Sequence, residues 1–148
     1  MVRSTFRLTA PVVREHPLQK QIASTLTIEL APPGKVSRFG VCWFSIDHAN
    51  YAGEVPGVRI GRGIIAGVPD LFLLYRGLAH VIEIKAEDGV LSDAQRSVIA
   101  AVLASGGRAG VARDATEVLA CIDAWNIPRN RRVRESIGQA ARAAIPNG

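Results

Sequence analysis

Apolar and polar positions alternate in two different periods along this chain, and the changes of period mark its elements. From Glu15 to Leu30, the residues Leu18, Ile22, Leu26 and Leu30 recur at helical spacing, with Pro17 suited to the first turn. Ala31-Pro32-Pro33-Gly34 ends that pattern. Because a residue ahead of a proline avoids the α region, Glu15 is expected just before the helix. Phe39 to Ile46 reads as a strand. Leu71 to Arg76 and Ala79 to Ala86 read as a hairpin around Gly77. Ser92 to Ser105 returns to the helical period, with Val98, Ile99, Val102 and Leu103 expected inward and Gly106-Gly107 closing it. Arg108 to Arg113 is a short strand. Asp114 to Trp125 is a helix, with Asp114 as its cap and Glu117 at the capping-box position. The order α-β-β-β-α-β-α predicts an α/β fold with a mixed central sheet flanked by helices. Neither an internal repeat nor a domain linker interrupts it, so one domain over 1–148 is expected.

Two stretches lack either period. Residues 1–13 read as a loose arm carrying Arg3 and Arg7. Asp47 to Val68 reads as a long glycine-containing loop, with Gly53, Gly57, Gly61, Gly63 and Gly67, and it holds Asn50, Arg59 and Arg62. Loops of this length in compact domains are usually functional. Gly61-Arg62-Gly63 is no dinucleotide fingerprint, because no strand precedes it and no helix follows.

Composition narrows the class. The chain has 148 residues, 48% of them hydrophobic and 21% charged, which suits a globular core. No apolar run approaches the roughly 20 residues of a membrane span, and no signal peptide is expected. Cys42 and Cys121 match no zinc spacing and read as reduced core thiols of a cytoplasmic protein. His16, His48 and His80 share no metal-ligand spacing, and His80 reads as structural. The formal charge of +5 favours an acidic partner such as nucleic acid. Only three of the 18 basic residues are lysines, so Lys85 in a strand stands out. Arg59 and Arg62 are candidates for phosphate contacts. Arg129 to Arg134 reads either as a DNA-contacting tail or as a solvated face.

The chemistry concentrates at Asp70 and Glu83-Ile84-Lys85. Charges inside apolar strands are uncommon without a partner or a role. Strand alternation puts Glu83 and Lys85 on one face and Ile84 on the other. If Arg76 pairs with Ala79, Asp70 falls opposite Lys85 and Phe72 opposite Glu83. Asp70 and Glu83 are then diagonal neighbours about 7–8 Å apart at the backbone. A slip of one residue would move Asp70 to the wrong face. Two carboxylates so placed can bridge a divalent cation, and Mg²⁺ binds through one or two carboxylates plus waters and phosphate oxygens. An acid-x-Lys in a strand is, on its own, more often an ion pair that holds register. Ser92 to Gln95 fits a capping box as well as a site-facing glutamine.

Gly67-Val68-Pro69-Asp70, Glu83-Ile84-Lys85 and Leu91-Ser92-Asp93-Ala94-Gln95 together resemble the signature of VRR-NUC domain nucleases of the PD-(D/E)xK superfamily. Glu15-His16-Pro17-Leu18-Gln19 resembles the family's N-terminal helix motif, and Phe44 to Asn50 its strand and Asn-bearing loop. The resemblance covers roughly residues 14–126, with 127–148 as a basic helical extension. It implies a restriction-endonuclease-like αβββαβ core. It also implies Asp70 and Glu83 as metal ligands, the Ile84 carbonyl as a third, and Lys85 as the catalytic lysine. Glu15 would reach the metal through water, Gln95 would face the site, and Gln19 and Asn50 would contact nucleic acid. Family members often carry a glycine pair after the Asn, whereas Tyr51-Ala52-Gly53 follows Asn50 here. The resemblance implies a Mg²⁺- or Mn²⁺-dependent DNA endonuclease of phage or prophage type, acting as a homodimer on branched DNA in the bacterial cytoplasm. The competing reading is a non-cleaving nucleic-acid-binding module with a structural acidic cluster. An enzyme for a small phosphorylated substrate ranks last, for want of a phosphate-cradling loop.

Overall fold

The computed structural model describes residues 15–46, 63 and 65–131. Its elements are α1 (Glu15–Glu29), β1 (Val41–Ser45), β2 (Leu71–Tyr75), β3 (Leu78–Ile84), α2 (Asp93–Ala104), β4 (Arg108–Ala112) and α3 (Ala115–Ala124). This is the order expected from the sequence. Helix α1 includes Glu15 rather than starting after it. Pro17 then falls in the first turn, where no N–H is needed.

The four strands form one mixed sheet in the order β1-β2-β3-β4. β1–β2 and β2–β3 are antiparallel, and β3–β4 is parallel. A parallel pair needs a crossover, and α2 supplies it. Alternation sorts the strands into two faces. On one, Val41, Trp43, Leu71, Leu73, Ile82, Ile84 and Ala112 are buried against Ile22, Leu26 and Leu30 of α1 and Val118 and Ile122 of α3. Full burial of each such aliphatic side chain contributes about 1.5–3 kcal/mol. Trp43 satisfies its indole N–H on the Ala31 carbonyl at 2.6 Å. His80 lies buried on this same face beside the Trp125 ring, its Nδ1 3.2 Å from the Leu78 carbonyl.

Asp70, Phe72, Val81, Glu83 and Lys85 belong to the opposite face by the same alternation, and α2 packs there over β3 and β4. Among the described residues it is the helix over that half of the sheet, and one stripe of it makes contact. Val98, Ile99 and Val102 are half-buried, whereas Leu103, expected inward, is 51% exposed. Over β1 and β2, Phe44 and Phe72 stack with ring centroids 5.7 Å apart.

The hairpin register differs from the expected one. Tyr75 pairs with Leu78, and Leu71 with Ile82, so the connection is the two-residue turn Arg76-Gly77. Both turn residues have positive φ, 50° and 75°, the requirement of a type I′ turn. Glycine takes that conformation without cost, but nothing in the sequence announces it for an arginine. The offset from the expected pairing is two residues. An even offset leaves every side chain on its expected face.

Asp114 caps α3 as expected, its Oδ1 accepting from the Glu117 N–H at 2.8 Å. Glu117 reaches back one residue further than a capping box does, accepting from the Arg113 N–H at 2.8 Å. Cys42 and Cys121 are free thiols, and burial, then Glu117, pushes the Cys121 thiol up. Among the described residues no helix is long and apolar enough to cross a membrane.

Candidate metal and nuclease site

Extending the β2–β3 register by one residue sets Asp70 directly across from Glu83. They are thus closer than the diagonal placement expected from sequence, since directly opposed residues are about 4.5–5.5 Å apart at Cβ. Asp70 precedes β2, and its Oδ2 accepts from the Ile84 N–H at 2.8 Å. That bond also orients the backbone. The Lys85 N–H donates to Ala112 of β4 at 3.0 Å, while Ile84 addresses the β2 side. N–H and C=O of one extended residue leave a strand on the same side, so the Ile84 carbonyl lies on the side of Asp70. The Ile84 side chain is 3% exposed and belongs to the core on the opposite face.

Glu83 is buried, and its Oε1 receives two donors. Lys85 Nζ lies 2.9 Å away, and the Gln95 side-chain amide also donates to it. Gln95 sits in the first turn of α2, where both sequence readings hold at once. Its Oε1 accepts from the Ser92 N–H at 2.9 Å, while Ser92 Oγ accepts from the Gln95 N–H at 3.2 Å. One end of the amide closes the capping box and the other binds the acid. Gly67, with φ +82°, lies against this turn. A Cβ there would stand 2.3 Å from the Ala94 carbonyl carbon.

The structure thus brings together Asp70, Glu83, Ile84, Lys85 and Gln95. Gln19 is half-buried on α1 and has no hydrogen bond to this group among those found. Glu15 opens α1, but its side chain lies outside the described residues, as do Asn50, Arg59 and Arg62. The Ser-x-x-Gln spacing announced the Ser92 N–H as a donor to Gln95. Sequence reasoning missed Gly67 as the contact between the Asp70 loop and that turn.

Among the described residues, no group of three or more His, Cys, Asp or Glu side chains could hold a metal. The donor set here is of another kind: two carboxylates and a backbone carbonyl, all hard oxygens. Mg²⁺ and Mn²⁺ suit such a set, completing their shells with water and phosphate oxygens.

The Arg129 to Arg134 stretch is neither a plain tail nor a plain solvated face where it is described. Arg129 is buried, donating to Asp123 at 2.9 and 2.8 Å and to Glu29 at 3.2 Å. Arg131 is exposed, yet its Nε lies 3.1 Å from Glu29. The bonded Asp123 carboxylate, then Glu29, outweigh desolvation and raise the Arg129 guanidinium above its ordinary value.

A mixed sheet flanked by helices, with two acids and a lysine on one face beside a helix-borne glutamine, is consistent with a restriction-endonuclease-like core. Residues 59–115 match the VRR-NUC domain, a nuclease-type domain, and the motif resemblance is borne out over that span. No curated protein and no solved structure matches the chain.

Proposed function

We propose that the chain is a divalent-metal-dependent DNA endonuclease acting on branched or nicked duplexes. The opposed pair Asp70 and Glu83, with Lys85 Nζ 2.9 Å from the glutamate, carries the reading. The VRR-NUC match and the net charge of +5 support a nucleic-acid substrate. Asp70, Glu83 and the Ile84 carbonyl would hold Mg²⁺ or Mn²⁺, with Glu15 joining through water. When bound, such an ion polarises a phosphoryl oxygen and lowers the pKa of a coordinated water. Lys85 aligns the attacking water and stabilises charge developing on the phosphate. Gln95 holds Glu83 in place as it does so. Gln19, Asn50, Arg59 and Arg62 contact the DNA, the arginines through phosphates. A homodimer would set two sites on two strands, which a junction cut requires. The expected setting is the cytoplasm of a bacterium, with the gene of phage or prophage type.

One observation favours a second reading, a non-cleaving nucleic-acid-binding module. Lys85 and Gln95 both bind Glu83 Oε1 within the protein, as they would in a structural cluster. Incubation with Mg²⁺ or Mn²⁺ against linear, nicked, flap and four-way-junction DNA separates the two. Cleavage by the wild type that Asp70→Ala abolishes, with DNA binding retained, is expected. Intact DNA in every lane, together with a lowered melting temperature in Asp70→Ala, would establish the binding module instead.

A further inference from the structure

We propose that Ser92 is a positioning residue of this site, because its backbone N–H dictates which end of the Gln95 amide faces Glu83. Its effect on cleavage rests on the nuclease reading; the orientation rests on hydrogen bonding alone. A primary amide has two unlike ends, since its oxygen only accepts and its nitrogen only donates. Ser92 N–H donates to Gln95 Oε1 at 2.9 Å, and Gln95 Nε2 donates to Glu83 Oε1. A flipped amide would set oxygen against the carboxylate and donor against the Ser92 N–H, breaking both bonds. The cap is therefore more than a stop signal for α2. It aims a donor across to β3.

The turn that does this is held on two sides. Ser92 Oγ accepts from the Gln95 N–H at 3.2 Å, and the Ser92 carbonyl accepts from the Arg96 N–H at 3.0 Å. On the other side, Gly67 leaves no room for a Cβ against Ala94, so the loop entering Asp70 and the turn bearing Gln95 meet backbone to backbone. Gln95 and Lys85 share one oxygen of Glu83. Gln95 therefore keeps the carboxylate in place when Lys85 turns its ammonium towards a phosphate.

Three substitutions isolate the N–H. Ser92→Ala removes Oγ and keeps the donor. Ser92→Pro removes both, and the φ of −71° at this position suits proline. Ser92→Thr keeps both. The first readout needs neither metal nor DNA: ¹H–¹⁵N NMR of the Gln95 side-chain amide. Slowly exchanging signals are expected in the wild type, Ser92→Thr and Ser92→Ala, and fast exchange in Ser92→Pro. The second is cleavage kinetics. In Ser92→Pro kcat is expected to fall about tenfold below that of Ser92→Ala, the loss of one well-formed hydrogen bond, at constant KM. Ser92→Thr restores the wild-type rate. If Ser92→Pro does not fold, an amide-to-ester replacement of the Ser92 N–H, which removes that donor alone, decides: fast exchange of the Gln95 side-chain amide supports the proposal and wild-type exchange overturns it. Equal amide exchange in Ser92→Pro and Ser92→Ala also overturns it. A wild type that cuts no DNA would defeat the nuclease reading, and the NMR comparison would still decide this one.

Discussion

Two ionic clusters lie on different parts of this molecule, and they differ in the cation each is built around. In one, Glu29 and Asp123 face Arg129 and Arg131, two carboxylates against two guanidiniums. The planar fork of Arg129 meets both oxygens of Asp123, at 2.9 and 2.8 Å, and reaches Glu29 as well. This cluster ties the end of α1 to the chain leaving α3. In the other, the Lys85 ammonium and the neutral Gln95 amide both donate to Glu83 Oε1, across from Asp70. A compact ammonium on a flexible stem can leave its partner; a bidentate fork is far less free to do so. The bidentate arginine cluster is suited to hold the fold, while the cluster built on the mobile lysine at the end of a strand is the one proposed to meet a cation and a substrate.

The largest expected contrast comes from removing one charge from each cluster. Asp70→Asn keeps an acceptor for the Ile84 N–H but loses the charge proposed to ligate the metal. Cleavage should fall by about three orders of magnitude, with the urea midpoint almost unmoved. Arg129→Ala leaves Glu29 buried beside a lost partner and should cost about 3–5 kcal/mol by urea denaturation, with the folded fraction still cutting. Equal stability losses in the two variants would erase the distinction drawn here. Exchanging the cation type is the next test. Lys85→Arg preserves charge yet misplaces it, and should lower kcat about a hundredfold while the protein melts normally. Wild-type turnover in this variant would reduce Lys85 to an ion-pair partner.

A smaller effect is expected at the backbone contact behind the acidic cluster. Gly67→Ala combines a positive φ with a clash against Ala94. It should destabilise by about 1–3 kcal/mol and slow cleavage as well, because the turn bearing Gln95 must shift. A variant slowed only in proportion to its unfolded fraction would uncouple the loop from the site. The smallest effect belongs to a titrating group that is part of neither cluster. Burial holds His80 below its ordinary pKa, with Arg108 adding to the shift and hydrogen bonds to backbone carbonyls opposing it. The folded protein therefore binds this proton less readily than the unfolded chain. Stability contributed by neutral His80 is complete above about pH 6.5 and declines as pH falls towards the lower folded-state value. Denaturation midpoints measured from pH 7.5 to 5 should show that decline, and His80→Phe should flatten it. An unchanged slope in that variant would assign the pH dependence to other groups.

Much of the acidic site was legible because strand alternation is local. Glu83 and Lys85 had to share a face, and Asp70 joined them under any even register. The actual register escaped sequence reasoning because it turns on a positive φ at Arg76, a residue with no intrinsic preference for it. The error was harmless to the site because it was even. Gln95 was legible as a cap and as a site residue, but that one amide serves both depended on how α2 lies over β3.

The Glu29–Arg129 pair had no local signal at all. Its partners are 100 residues apart, and Arg129 looked like one more member of a basic run. Sequence alone determined the element order, the faces of the strands, the cap of α2 and the acids and lysine that share a face, since each follows from periods of a few residues. Tertiary structure decided which acid stands opposite which, what the Gln95 amide touches and which arginine is buried. Those depend on helices packing across a sheet, where the spacing of residues along the chain no longer measures their distance in space.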